Sequence, residues 1–182
     1  PSGDISSTQG AAVSFDGDGL DSDGTISAYE WRDGSCAAGT LLSSAKSFST
    51  SALSVSAHTI YFRVRDNSSA WSTNCPSRVV TVVSAPTVTL TYSPSSIAYG
   101  GSTAISYTSL NTAPDSCKVY VDGSLVWDNA PTSYNWGTVG PYYANQTRTV
   151  TCYNALGASG SNTKTLTVAG PLPPTVTTSS AT

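Results

Sequence analysis

The residues best equipped for chemistry lie in one acidic turn, Phe15-Asp16-Gly17-Asp18-Gly19-Leu20-Asp21-Ser22-Asp23-Gly24-Thr25. Its four carboxylates fall within eight residues. They repel one another and call for full solvation or for a hard cation such as calcium, which prefers carboxylate and carbonyl oxygens. Glycines at 17, 19 and 24 permit the tight backbone that would bring those oxygens together. For a calcium ion the expected ligands are Asp16, Asp21 and Asp23, joined by Asp18 and, from a later turn, by Asp66. The loop is not an EF-hand: counted from Asp16, the fifth place is Leu20 and the twelfth is Ser27, where a bidentate Glu is required. The competing reading is a solvated loop whose aspartates bond their own backbone.

Catalysis finds little else to work with. Asp16 and Asp23 share one turn instead of facing each other across a cleft, as a glycosidase pair would. His58 opens a strand with no Ser, Cys or acidic companion in a recognisable order, and reads as a surface histidine. No enzyme is expected. Ten tyrosines and four tryptophans could furnish a sugar-stacking platform, with Trp71, Trp127 and Trp136 in or beside loops, although packing competes for each ring. Asn67-Ser68-Ser69 and Asn145-Gln146-Thr147 match the glycosylation acceptor pattern, from which only exposure is read.

The elements that must position these groups are strands. Ser, Thr, Val, Tyr and Gly dominate the 182 residues, charged residues make up 10% and Met is absent, while long helical runs of Leu, Glu and Lys are missing. A net charge of -3 supplies no footprint for nucleic acid or an anionic membrane. No transmembrane span is read. Cys36, Cys75, Cys117 and Cys152 admit three pairings, of which Cys36 with Cys75 and Cys117 with Cys152 is simplest because it places one bridge in each half. Their spacings exclude a tight CxxC redox or zinc pattern. Structural disulfides on a low-charge chain point to an oxidising, extracellular or cell-surface location.

Along the chain, residues 1 to 10 read as a polar lead-in and Ala12 to Phe15 as a first strand. Tyr29 and Trp31 mark the core face of the next. Ile60, Phe62 and Val64 alternate with Tyr61, Arg63 and Arg65, which is the period of a half-buried strand. Leu41 to Thr50 holds one or two short strands. Ser84-Ala85-Pro86 reads as a boundary, because Pro86-Thr87-Val88-Thr89 returns as Pro174-Thr175-Val176-Thr177. A period of that size in an all-strand chain suits repeated sandwiches. In the second half Val88, Leu90 and Tyr92 share a face, as do Cys117, Val119 and Val121, and then Val150 and Cys152. Two cysteines on apolar faces of well-separated strands lead to the expectation of a bridge from sheet to sheet through the core. Trp127 and Trp136 are expected to cover one end of that sandwich. The fold class is therefore all-β, two tandem immunoglobulin-like β-sandwiches over 11–84 and 86–170, with 171–182 a linker and the start of a further repeat.

The first unit resembles a polycystic-kidney-disease (PKD) type domain over about residues 11 to 83. The resemblance is carried by Phe15-Asp16-Gly17, Asp21-Ser22-Asp23-Gly24-Thr25-Ile26, Tyr29-Glu30-Trp31, Asp33-Gly34, His58 to Asn67, and Ala70-Trp71-Ser72. Cys36 and Cys75 stand outside its pattern. The second unit, through Ser93-Pro94-Ser95-Ser96-Ile97 and Gly100-Gly101-Ser102-Thr103, resembles immunoglobulin-like repeats of bacterial surface proteins. What the resemblance implies is a spacer, adhesive module or accessory to a secreted hydrolase, in some members with calcium near the acidic turn. The expected function is accordingly a structural or adhesive pair in a larger protein, whose partners are neighbouring domains and a surface protein or glycan. A sugar-binding accessory, and a filament subunit donating the strand Thr175 to Thr178, are the alternatives.

Overall fold

The computed structural model of the protein describes residues 3–113 and 115–175. Two compact units meet between Ala85 and Pro86. In the first, strands β1 (Ile5–Thr8), β2 (Val13–Asp16), β3 (Ile26–Asp33), β4 (Thr40–Ser43), β5 (Ser47–Thr50), β6 (Ala57–Asp66) and β7 (Ser77–Val83) form a five-stranded sheet, β1-β7-β6-β3-β4, facing the pair β2-β5. Alternation decides which side chains meet between the sheets. Val13, Phe15, Trp31, Ile60, Phe62, Val80 and Val82 are buried together. Trp31, only 2% exposed, sits among Phe15, Phe48 and Phe62, and its indole N–H donates to the Ala45 carbonyl at 3.1 Å. The opposite face of the same strands carries Glu30, Arg32, Arg63 and Arg65.

The lead-in is part of the unit. Ile5 to Thr8 pair in parallel with Val80 to Val83, adding a strand to the edge of β7.

The second unit contains β8 (Thr87–Ser93), β9 (Ser96–Ile97), β10 (Gly101–Leu110), β11 (Cys117–Val121), β12 (Ser124–Ala130), β13 (Ser133–Tyr142), β14 (Gln146–Tyr153) and β15 (Ser159–Val168). A three-stranded sheet, β13-β10-β8, faces a five-stranded one, β12-β11-β14-β15-β9. Asp122 and Gly123, with φ of 48° and 83°, make the two-residue turn joining β11 to β12, a conformation that twisted hairpins prefer and that Gly supplies without a steric penalty. Leu90, Ile105, Tyr107, Val119, Val150 and Leu166 fill the space between the sheets. Both units are thus immunoglobulin-like sandwiches in tandem.

Two expectations for this unit need correction. Cys117 and Cys152 stand directly opposite each other on β11 and β14, neighbouring strands of one sheet, with Cα atoms 4.0 Å apart. The bridge staples one wall of the sandwich and does not cross to the other. An apolar face tells which way a side chain points but not which strand lies beside it. Trp127 on β12 and Trp136 on β13 belong to edge strands of opposite sheets, and with Tyr134 they close the side of the sandwich between those edges, not its end. In the first unit Cys36 and Cys75, with Cα atoms 6.0 Å apart, link the loop after β3 to the approach to β7 over the intervening β6. The repeat at 174–177 and the strand read at 175–178 lie, apart from Pro174 and Thr175, outside the described residues.

Candidate functional site

The acidic turn leaves β2 and folds over the core side of β6. Gly17 lies flat against the Phe62 ring: a Cβ there would come within 2.5 Å of it. Gly19 approaches Val64 to 2.9 Å in the same sense. The glycines are therefore needed for close packing of the loop on the strand, a demand separate from gathering oxygens. At the far end Asn67 locks the turn, since its Oδ1 accepts from the Thr25 N–H at 3.2 Å and its own N–H donates to the Thr25 carbonyl at 3.0 Å.

The five aspartates do not converge. Asp16 accepts from the Ser47 hydroxyl. Asp18, with 80% of its side chain exposed, pairs with Lys46 Nζ at 3.1 Å, and Lys46 together with the Gly19 N–H holds its carboxyl below the usual range. Asp66 Oδ1 accepts from the Ala70 N–H at 2.8 Å, shaping the following turn. Asp21 and Asp23 are the pair brought together: the Asp23 N–H reaches Asp21 Oδ1 at 3.5 Å. The neighbouring Asp23 carboxyl pushes the Asp21 carboxyl up, with a smaller contribution from Asp66. Among the described residues no three His, Cys, Asp or Glu side chains gather as metal ligands would. Asp21 Oδ2 and Asn67 Oδ1 both crowd Gly24, lying 2.7 Å and 2.3 Å from where a Cβ on that glycine would stand.

On the opposite face of β3 and β6, Glu30 is shared. Its Oε2 accepts from Arg32 Nε at 2.8 Å and from Arg63 Nη2 at 2.6 Å. Arg32 first, then Arg63, hold the Glu30 carboxyl low against the opposing effect of burial. Trp71 lies over the Arg63 guanidinium at 4.1 Å, which accounts for its place beside a loop without making it a free stacking surface.

His58 is not a surface residue. Its side chain is 11% exposed, and Nδ1 meets Asp33 Oδ2 at 2.6 Å while Nε2 meets the Ser54 carbonyl at 2.9 Å. Two acceptors on the two ring nitrogens suit the imidazolium. Burial lowers its proton affinity, but Asp33 and the Ser54 carbonyl outweigh burial, and the net displacement is upward. Sequence reading missed the pair because Asp33 and His58 are 25 residues apart and are joined only when β3 and β6 lie side by side.

The rings of the second unit interlock. Trp127 and Tyr134 meet at 4.8 Å and 89°, and Tyr134 and Trp136 at 5.1 Å and 74°. Arg148 lies over the Trp136 ring at 4.5 Å. Edge-to-face contacts of this kind are a packing arrangement, and they leave Trp127 and Trp136 with no shared plane for a sugar.

No known protein family matches the chain, and no curated protein matches it. Among solved structures, fibronectin(III)-like modules of Clostridium thermocellum CbhA align over 92% of this chain and 90% of theirs, at 20% identity and a TM-score of 0.38. The amphioxus IgVJ-C2 molecule aligns over 89% and 99%, at 15% identity and a TM-score of 0.43. A three-immunoglobulin-domain segment of titin aligns over 91% of this chain and 62% of that one, at 12% identity and a TM-score of 0.49. The likeness is one of fold, which the strand topology already establishes.

Proposed function

We propose that the chain is a tensile spacer, two non-catalytic modules in series within a larger secreted or cell-surface protein whose neighbouring domains are its first partners. The supporting observation is strand direction. In the first unit β1 and β7 run parallel, Ile5 beside Val80 and Thr8 beside Val83. In the second β9 runs parallel to β15, and Pro86 lies against Gly160 while Ile97 lies beside Val168. Each unit is therefore entered at one end and left at the other, and tension on the chain loads a parallel ladder in shear, four residue pairs in the first unit and two in the second.

Single-molecule extension tests this reading. With the bridges closed, 39 and 35 residues stay locked inside the two units. Reduction should lengthen the two unfolding steps by about 14 nm and about 12 nm at roughly 3.5 Å per residue. Unfolding at forces no higher than those of a module pulled strand by strand from one end would refute the tensile role.

Within that role the first unit is read as a PKD-type module, and calcium is proposed to bind at Asp21 and Asp23 with the Asn67 amide oxygen alongside, relieving the repulsion between the two carboxylates and stiffening the turn. Asp16, Asp18 and Asp66 have protein partners and are left to those. The midpoint of thermal unfolding should rise with calcium and fall back with chelator; one unmoved by either removes the ion from the proposal.

A further inference from the structure

Three of the eight basic residues of the chain, Arg32, Arg63 and Arg65, project from the outer face of β3 and β6, opposed there by one carboxylate. The rungs show where charge is unbalanced. Glu30 stands opposite Arg63, but opposite Arg65 stands Ala28. Arg65 has no carboxylate within ion-pair distance among the described residues, and its Nε is buried without a hydrogen-bond partner. Its guanidinium lies 5.5 Å from the Trp71 ring, which also covers Arg63. Arg63 uses Nε and Nη2 on Glu30, and Arg32 uses Nε on Glu30 and Nη1 on the Gly39 carbonyl. That leaves one terminal nitrogen of each with no acceptor among the described residues. Arg32 and Arg63 share Glu30 and Arg65 has no carboxylate of its own, so on a chain whose net charge is -3 this strip carries a local positive excess, with Trp71 against Arg63 and Arg65.

We infer that this strip docks an extended acidic segment of a partner protein, its carboxylates at alternate positions. Side chains at alternate positions of a strand recur about every 6.6–6.8 Å, the separation expected of Arg63 and Arg65. An extended peptide with acidic residues at i and i+2 repeats at the same interval, so one carboxylate meets Arg65 while the next reaches the one terminal nitrogen that Arg63, its side chain 13% exposed, does not use on Glu30. Planar, multiply donating guanidinia match the geometry of a carboxylate. The inference is independent of the tensile role.

The probe is a fluorescent peptide with three Asp alternating with Thr, compared by anisotropy at low ionic strength with an isomer of the same composition whose Asp residues are contiguous. The alternating peptide should bind several-fold more tightly and weaken as salt is raised. Arg65→Gln should cost about tenfold. Ala28→Glu, which removes no existing contact and places a carboxylate on the open rung, should abolish binding while leaving the melting midpoint unchanged or higher. Equal binding of the two peptides, or binding that survives Ala28→Glu, would overturn the assignment. So would sedimentation showing that this face instead pairs two copies of the chain, with pairing lost in Ala28→Glu.

Discussion

At the scale of single residues, the most consequential group is one that the sequence presents as unremarkable. His58 holds its proton more tightly in the fold because both ring nitrogens point at acceptors, and the charge is worth most where the unfolded chain would also carry it. A basic group whose proton affinity is raised on folding contributes its full stabilisation below its unfolded value of 6.5 and loses it as pH climbs through the higher folded value. Melting midpoints of the native chain should therefore decline from the acid side of that value toward mildly alkaline pH. His58→Gln, which keeps a donor toward Asp33, should flatten the decline; an identical profile in the variant would show that the pair carries no stability. The glycines of the acidic turn make the complementary point. Their spacing reads correctly as permission for a tight loop, yet the reason the loop must be tight at Gly17 and Gly19 is the presence of Phe62 and Val64 beneath them, residues more than forty positions away.

At the scale of elements, each unit depends on a bridge that ties connected strands, and the two bridges do different work. Cys36–Cys75 holds two loops together across β6, whereas Cys117–Cys152 pins the β11–β14 rung. Each closes a loop of 39 or 35 residues, for which chain-entropy reasoning gives about 4 kcal/mol. Replacing Cys117 and Cys152 together by Ala should lower the stability of the second unit by about that amount, less any strain relieved, and leave the first unit's transition in place. Denaturant melts followed at tryptophan fluorescence report it. A loss shared equally by both transitions would mean that the units do not unfold separately. Strand periodicity was legible where one face is apolar, and not in β1, which lay inside the segment read as a lead-in. Core faces of β3, β6, β8, β10, β11 and β14 follow from alternation alone, because a half-buried strand must place apolar side chains at every second position. Sheet membership did not follow, and this is why the second bridge was assigned to the wrong pair of walls.

At the scale of the whole molecule, the boundary at Ala85 and Pro86 separates two cores with no buried residue in common. Each unit should then fold alone. Residues 1–85 and 86–175 expressed separately should each give a dispersed amide spectrum that overlays on that of the full chain. Collapse of either spectrum would show that its core is completed by the other. Among the described residues no helix is long and apolar enough to cross a membrane.

Composition, alternation and the placement of Pro, Gly and Cys were enough to establish an all-strand chain in two cysteine-linked parts, since these are local consequences of backbone sterics and of burying one face. Pairing across distance was decided only by the tertiary structure. It determined that β1 runs alongside β7, that Asp33 raises the proton affinity of His58, that four of the turn's aspartates are divided between protein partners and one another, and that Arg65 faces an alanine. Each of these depends on which strand lies next to which, and strand order is set by the packing of two sheets against each other, which no run of neighbouring residues records.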